Sequence, residues 1–240
     1  MTQSIDRWAI NIDIEGFSVL WEKEDQVLWT LGELMRAIFR IGRECYPNSP
    51  DRLFAHQLGD GFVIVSDFNE ESLERAITIG AAIMQHVANS GNLAKVAIAE
   101  GSLSDIQNCY PKEVLSELEG DHTVSLHMGL MTIFPVMGTA LIRSFKLAKK
   151  SLSGPLLILE KSKSSRIPPH IQVQEIKDHD LLSIDWVHFN TPLLKQIQSR
   201  AKLSMPDKEH LEKFITKYCI EHPLPRDWIN NTKKYLNITS

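Results

Sequence analysis

Cysteine is scarce in this chain. Its three cysteines in 240 residues, Cys45, Cys109 and Cys219, lie far apart. They form no CxxC pair and no Cys/His spacing. That excludes a disulfide framework and a zinc site, and it predicts reduced thiols in a cytoplasmic protein. Cys45 has no base partner in the sequence, which argues against a thiol nucleophile. Long hydrophobic runs are missing too. No window approaches about 18 uninterrupted apolar residues, so no membrane span is expected. Asp6 and Arg7 precede any apolar run, against a signal peptide. Positive charge is not in excess: 26 Lys and Arg face 30 Asp and Glu, a net charge of −4. No large nucleic-acid footprint is expected. The basic runs Lys146 to Lys150 and Lys161 to Arg166 read as solvated surface.

What is present is an ordinary apolar fraction of 43%, enough for one medium domain with extra elements. Residues 7–13 alternate as a central strand. Residues 18–43 carry apolar side chains at helical spacing, including Leu20, Trp21, Leu31, Leu34, Ile38 and Phe39. Trp21, Trp29 and Phe39 read as core or dimer contact. Residues 53–66 read as a hairpin with Asp60-Gly61 as its tight turn. Residues 70–88 form a second amphipathic helix closed by Asn89-Ser90-Gly91, and residues 93–99 form another strand. The order β-α-β-β-α-β predicts an α/β (α+β) fold: a ferredoxin-like, palm-type sheet with helices on one face.

Residues 102–122 read as an irregular excursion with a short helix at 113–118. Residues 124–135 read as one strand, 138–150 as a helix, and 155–159 and 171–173 as short strands. Short helices follow at 192–201, 208–219 and 225–236. The expected division is a catalytic domain over 1–180 and a helical extension over 181–240.

Two stretches carry the chemistry. In Trp8-Ala-Ile-Asn-Ile-Asp13-Ile-Glu-Gly16-Phe17-Ser18, a strand ends in a carboxylate beside a glycine turn that opens a helix. In Phe54-Ala-His56-Gln-Leu-Gly59-Asp60-Gly61, a second carboxylate sits at a hairpin tip. Two carboxylates at the ends of paired strands suit two divalent cations, Mn2+ or Mg2+, and a polyphosphate. Asp13 and Asp60 are the candidate metal ligands, with the carbonyl of Ile14 adding a third. Gly16, Phe17 and Ser18 offer amides to phosphate oxygens at the helix start. Lys146 and Arg143 offer cations for charge built up in a transition state. Glu15 is expected to face solvent. The bland readings are a plain hairpin turn at Asp60-Gly61, a helix cap at Asp13, a satisfied core histidine at His56 and a solvated helix end at Lys146.

The motifs Asp13-Ile-Glu-Gly-Phe-Ser and Gly59-Asp60-Gly-Phe resemble the catalytic domain of class III nucleotidyl cyclases over roughly residues 7–160. Gly138-Thr-Ala-Leu-Ile142-Arg143-Ser-Phe-Lys146-Leu147 is similar to that family's later segment. The resemblance implies a homodimer with sites shared between subunits, metal ligands at Asp13 and Asp60, and a transition-state cation at Lys146. It also implies altered base reading. His56 stands where purine cyclases place Lys or Glu, Pro135 where they place a partner Asp or Cys, and Ile142 where they place Asn. A stand-alone cyclase without the purine set looks like the pyrimidine cyclases of bacterial anti-phage signalling, whose product a separate effector reads. UTP is then the favoured nucleoside triphosphate substrate, with CTP second, and His56, Arg52 and Arg43 are candidate base readers. The alternatives are a purine cyclase, a diguanylate-cyclase-like palm and a silent nucleotide-binding module.

Overall fold

The alternation of Arg7–Ile14, strand β1, sets the architecture. The computed structural model describes residues 6–16, 24–46, 48, 53–66, 70–106, 109–120, 122–133 and 136–238. Trp8, Ile10, Ile12 and Ile14 bury into the main core, whereas Ala9 belongs to a separate cluster on the other face. Asn11 and Asp13 share that other face, because successive strand side chains point to opposite sides.

Helix α1 (Glu24–Cys45) leads to the hairpin β2 (Leu53–Leu58) and β3 (Gly61–Ser66), then to α2 (Glu74–Ala88) and β4 (Ala94–Gly101). Strand β1 lies between β3 and β4, antiparallel to both. This is the split β-α-β pairing that the element order predicts. After β4 come β5 (Ser104–Asp105), α3 (Lys112–Ser116), β6 (Leu118–Glu119), β7 (Thr123–Leu126), β8 (Gly129–Thr132) and β9 (Val136–Met137). Strands β6, β7 and β8 form a small antiparallel sheet, and β5 pairs β9. The single strand expected over 124–135 is therefore a hairpin. It turns at His127, whose φ of 60° no strand residue adopts.

Helix α4 (Thr139–Lys150) precedes β10 (Leu157–Glu160), β11 (Val173–Ile176) and β12 (Leu181–Ile184). These extend the main sheet to seven strands in the order β11-β12-β10-β4-β1-β3-β2, with β10 parallel to β4. The expected division at residue 180 falls beside β12, a strand inside this sheet. Helices do not cover one face only. Helices α1 and α2 pack on the Ile10–Ile12 side, while α4 places Ala140 and Leu141 against Ala9, Val63 and Val65 on the other.

Three helices close the chain: α5 (Pro192–Ala201), α6 (Lys208–Glu221) and α7 (Arg226–Tyr235). Thr191 Oγ1 accepts the Leu194 amide at 3.1 Å, and Asp207 Oδ1 accepts the His210 amide at 2.8 Å, so the first two are side-chain capped. They explain α2. Every residue from Ala76 to Ala88 is buried, and a helix apolar on all sides needs cover on all sides. The sheet lies on one side, and Leu194, Ile197, Leu211 and Ile215 share the core on the other. Gln85 Nε2 donates to the carbonyl of Trp186 at 2.7 Å, satisfying a buried amide. The run Lys161 to Arg166 departs from plain solvated surface. Lys163 and Arg166 both pair with buried Glu100, at 3.3 and 2.7 Å. Among the described residues the cysteines are free thiols, and no helix is long and apolar enough to cross a membrane.

Candidate metal and nucleotide site

The hairpin tip reaches β1 because residue 61 has no side chain. A Cβ on Gly61 would lie 2.5 Å from the Ile12 carbonyl oxygen and 3.1 Å from Asp13 Oδ1. Strand register pairs Leu58 with Gly61. The two turn residues are therefore Gly59 and Asp60, not Asp60 and Gly61 as the sequence suggested. Only the first of them needs positive φ (65° at Gly59), as in a type II′ turn. The second presents its carboxylate to the end of β1.

Asp13 and Asp60 are thus brought together, close enough for a hydrogen bond between their carboxyls. Burial, the charge of Asp60 and then that of Glu15 push the Asp13 carboxyl up to about 6, against an opposing hydrogen bond from the Ile14 amide. A carboxyl with a raised affinity for a proton, crowded by a second carboxylate, is a donor set that divalent cations suit, since a cation relieves the repulsion the proton otherwise relieves. Both line a cavity of about 300 Å³ with Asn11, Lys95, Phe145 and Lys149. Among the described residues no group of three or more His, Cys, Asp or Glu side chains is arranged to hold a metal ion. Gly16 turns the chain after the strand at φ 73°. Its neighbours Phe17 and Ser18, and Arg52 and Pro135 as well, lie outside the described residues.

His56 stands on the Asp13 side of the sheet, paired in register with Val63. Burial and the nearby His122 hold its imidazole below the usual range, and the two rings meet edge to face at 6.1 Å. Lys146 and Arg143 are placed elsewhere. They line a second cavity, of about 480 Å³, with Lys150, Lys161 and Asp180. Arg143 Nη1 donates to the Glu100 carbonyl at 2.8 Å. Glu100 pairs in register with Trp8, at the far end of β1 from Asp13. Helical rotation is the reason: Phe145, Ala148 and Lys149 share one side of α4, and residues 143, 146, 147 and 150 the next. One chain does not bring Lys146 or Arg143 to its own Asp13–Asp60 pair.

Sequence reading missed two cations that line the carboxylate cavity, Lys95 and Lys149. Lys95 stands opposite Asp13 in the β1–β4 register. Burial pulls its ammonium below the usual range, while Glu15 and Asp13 oppose that, and it donates to the Leu152 carbonyl at 2.8 Å. Only strand pairing exposes this neighbour. Glu15 is not simply solvent-facing: Trp228 Nε1 donates to its Oε2 at 2.8 Å, and burial raises its carboxyl.

No family model and no curated protein matches the sequence. Solved structures share its fold. One is a bacterial light-regulated adenylyl cyclase (14% identity, TM-score 0.51), matched over 82% of this chain and 58% of that one. The chain therefore spans under two thirds of that protein's length. Another is the catalytic core of a rhodopsin-guanylyl cyclase with converted specificity, in complex with ATPαS (11%, TM-score 0.52, 76% and 97%). A third is the dimeric guanylyl cyclase domain of the RhoGC fusion protein from the aquatic fungus Blastocladiella emersonii (12%, TM-score 0.51, 75% and 96%). The fold is that of class III nucleotidyl cyclase catalytic domains.

Proposed function

We propose that the chain is a nucleotidyl cyclase, turning a nucleoside triphosphate into its 3′,5′-cyclic monophosphate and pyrophosphate. The observation that carries this reading is the Asp13–Asp60 pair, crowded at one end of a cyclase-type sheet. Asp13 and Asp60 hold two divalent cations, Mn2+ or Mg2+, and the Ile14 carbonyl adds an oxygen. Such cations acidify the attacking hydroxyl and neutralise the triphosphate. Amides of Gly16, Phe17 and Ser18 take phosphate oxygens, and Lys95 adds a positive charge in the same cavity. Lys146, with Arg143 as the fallback, comes from the second subunit of a homodimer and offsets charge in the transition state. Its position on a separate cavity of the same chain supports a shared site.

His56, held neutral, offers one donor and one acceptor to a base edge, and Arg52 is the second reader. UTP is the favoured substrate and CTP the next. The missing purine-reading residues support this, as does the resemblance to anti-phage pyrimidine cyclases. In that role the cyclic product is read by a separate effector. The names of the fold neighbours, adenylyl and guanylyl cyclases, favour a purine substrate as the second reading.

Product analysis by mass spectrometry tests the proposal, with protein and Mn2+ offered ATP, GTP, CTP and UTP separately. The expected result is cyclic UMP, or cyclic CMP. A cyclic purine product would discard the base-reading argument alone. Triphosphate binding with no product from any of the four would replace the cyclase by a silent binding module. Mixing Asp60→Ala with Lys146→Ala protein should restore part of the lost activity. Verified heterodimers without recovery would refute the shared site.

A further inference from the structure

The turn that follows Asp13 is held from the far end of the chain. Trp228, buried in helix α7, donates its indole N–H to Glu15 Oε2 at 2.8 Å. The Glu15 amide donates to the Leu93 carbonyl at 2.8 Å, so side chain and backbone fix the same residue. The indole is fixed in turn: it stacks on Tyr218 of α6, with centroids 6.1 Å apart.

Helix α7 also grips the loop that ends α4. Asn231 Nδ2 donates to the Ser153 carbonyl at 2.9 Å. A Cβ on Gly154 would lie 3.1 Å from Thr232 Oγ1, so the loop seats directly on the helix. Trp228, Asn231 and Thr232 stand at i, i+3 and i+4, one stripe of α7. Between the gripped segments runs Lys95, bonded to the Leu152 carbonyl. One helix face thus fixes both the turn after Asp13 and the end of the helix that brings Lys149 to the cavity.

Resting on the metal-pair reading above, we infer that Glu15 is a positioning residue. Through its bond from Trp228 it holds Asp13 in metal-binding geometry and makes the site answer to the C-terminal helix. The carboxylate lines the cavity of Asp13 and Asp60, and its Oε2 is the acceptor for the indole. Groups that orient metal ligands from outside commonly change affinity by about 10- to 100-fold when removed.

The test uses the full chain and four variants: Trp228→Phe, Glu15→Ala, the two combined, and Glu15→Gln. Free Mn2+ is read by electron paramagnetic resonance, and amide exchange of residues 11–16 is read in metal-free protein. Trp228→Phe keeps an aromatic ring beside Tyr218 but removes the N–H together with part of the bicycle, so thermal melting confirms each fold and the double variant separates the lost bond from the lost volume. Trp228→Phe and Glu15→Ala should each weaken Mn2+ binding about tenfold. The double variant should be no weaker than either, since both remove one bond. Glu15→Gln keeps an acceptor oxygen and should rescue most of the affinity. Exchange across 11–16 should quicken about tenfold in Trp228→Phe and stay near wild type in Glu15→Gln. Unchanged exchange in Trp228→Phe overturns the inference. So does additivity, or a Glu15→Gln variant as weak as Glu15→Ala, which would make the charge itself the contribution. If wild-type protein takes up no Mn2+, the metal-pair reading fails, and the exchange data alone then decide whether Trp228 fixes the turn.

Discussion

Ile12 and Asp13 are neighbours on one strand under opposite physical rules. Ile12 points into a core closed on every side by helices, where stability comes from excluding water. Asp13 points into an open cavity where a second carboxylate is forced close, and there the folded chain works against itself. Such conflict is common at functional sites, and here it sits on the face opposite the dry core.

The contrast is broken most severely from the dry side. Ile83 of α2 is wholly buried, on the side of the helix that meets Ile38 and Ile41 of α1 and Ile64 of β3. Ile83→Ala should cost about 2–5 kcal/mol in urea unfolding, with little change in Mn2+ affinity per folded molecule. A loss under about 1 kcal/mol would mean that α1 and α2 do not close the core over the sheet.

At the boundary between the faces stands Gly61. Gly61→Ala puts a methyl against the backbone carbonyl of Ile12, which cannot swing aside. Overpacking of this kind costs about 1–3 kcal/mol. The hairpin tip should move off β1 and Mn2+ binding should weaken with it, as calorimetric titration would show. Normal affinity would mean that the tight approach does not position Asp60.

On the site side the sign reverses. The Asp13 carboxyl holds its proton more tightly folded than unfolded, at about 6 against 3.8. Its contribution therefore favours the folded state at low pH and is lost as pH rises from 3.8 through about 6. Asp13→Asn, always neutral, should raise the melting temperature of metal-free protein above pH 6 and leave it unchanged near pH 4. Saturating Mn2+ should stabilise wild type and not the variant. A variant less stable than wild type at pH 8 without metal would contradict the crowding. The smallest effect is on the metal equilibrium itself: Mn2+ affinity should decline as pH falls through about 6, where the proton competes. A pH-independent affinity from 5 to 8 would place the cation elsewhere.

The two faces were unequally legible in the sequence. Periodicity located β1, the hairpin, α2, α4 and the tail helices, because each repeats an apolar pattern longer than its errors. The pairing of Asp13 with Asp60 followed from β-α-β-β-α-β order alone, since that order sets β1 beside the hairpin. Strand β12 and the hairpin at His127 were missed: four-residue strands carry too few residues for a period to show. Lys95 was invisible because its neighbourhood with Asp13 is a matter of register, 82 residues away along the chain. The bond from Trp228 to Glu15 spans 213 residues and leaves no local trace. The side of α4 that meets the cavity also needed the fold, since Lys146 and Lys149, three positions apart, lie only about 60° from each other around the helix.

The most direct test of the account is the turnover of Asp60→Ala beside wild type, with Mn2+ and the preferred triphosphate, followed by mass spectrometry. A half-exposed carboxylate at a hairpin tip contributes little to folding, so the variant should melt as wild type does and form no cyclic product. Cyclic product at near wild-type rate from a folded Asp60→Ala protein would contradict the metal pair and the function drawn from it.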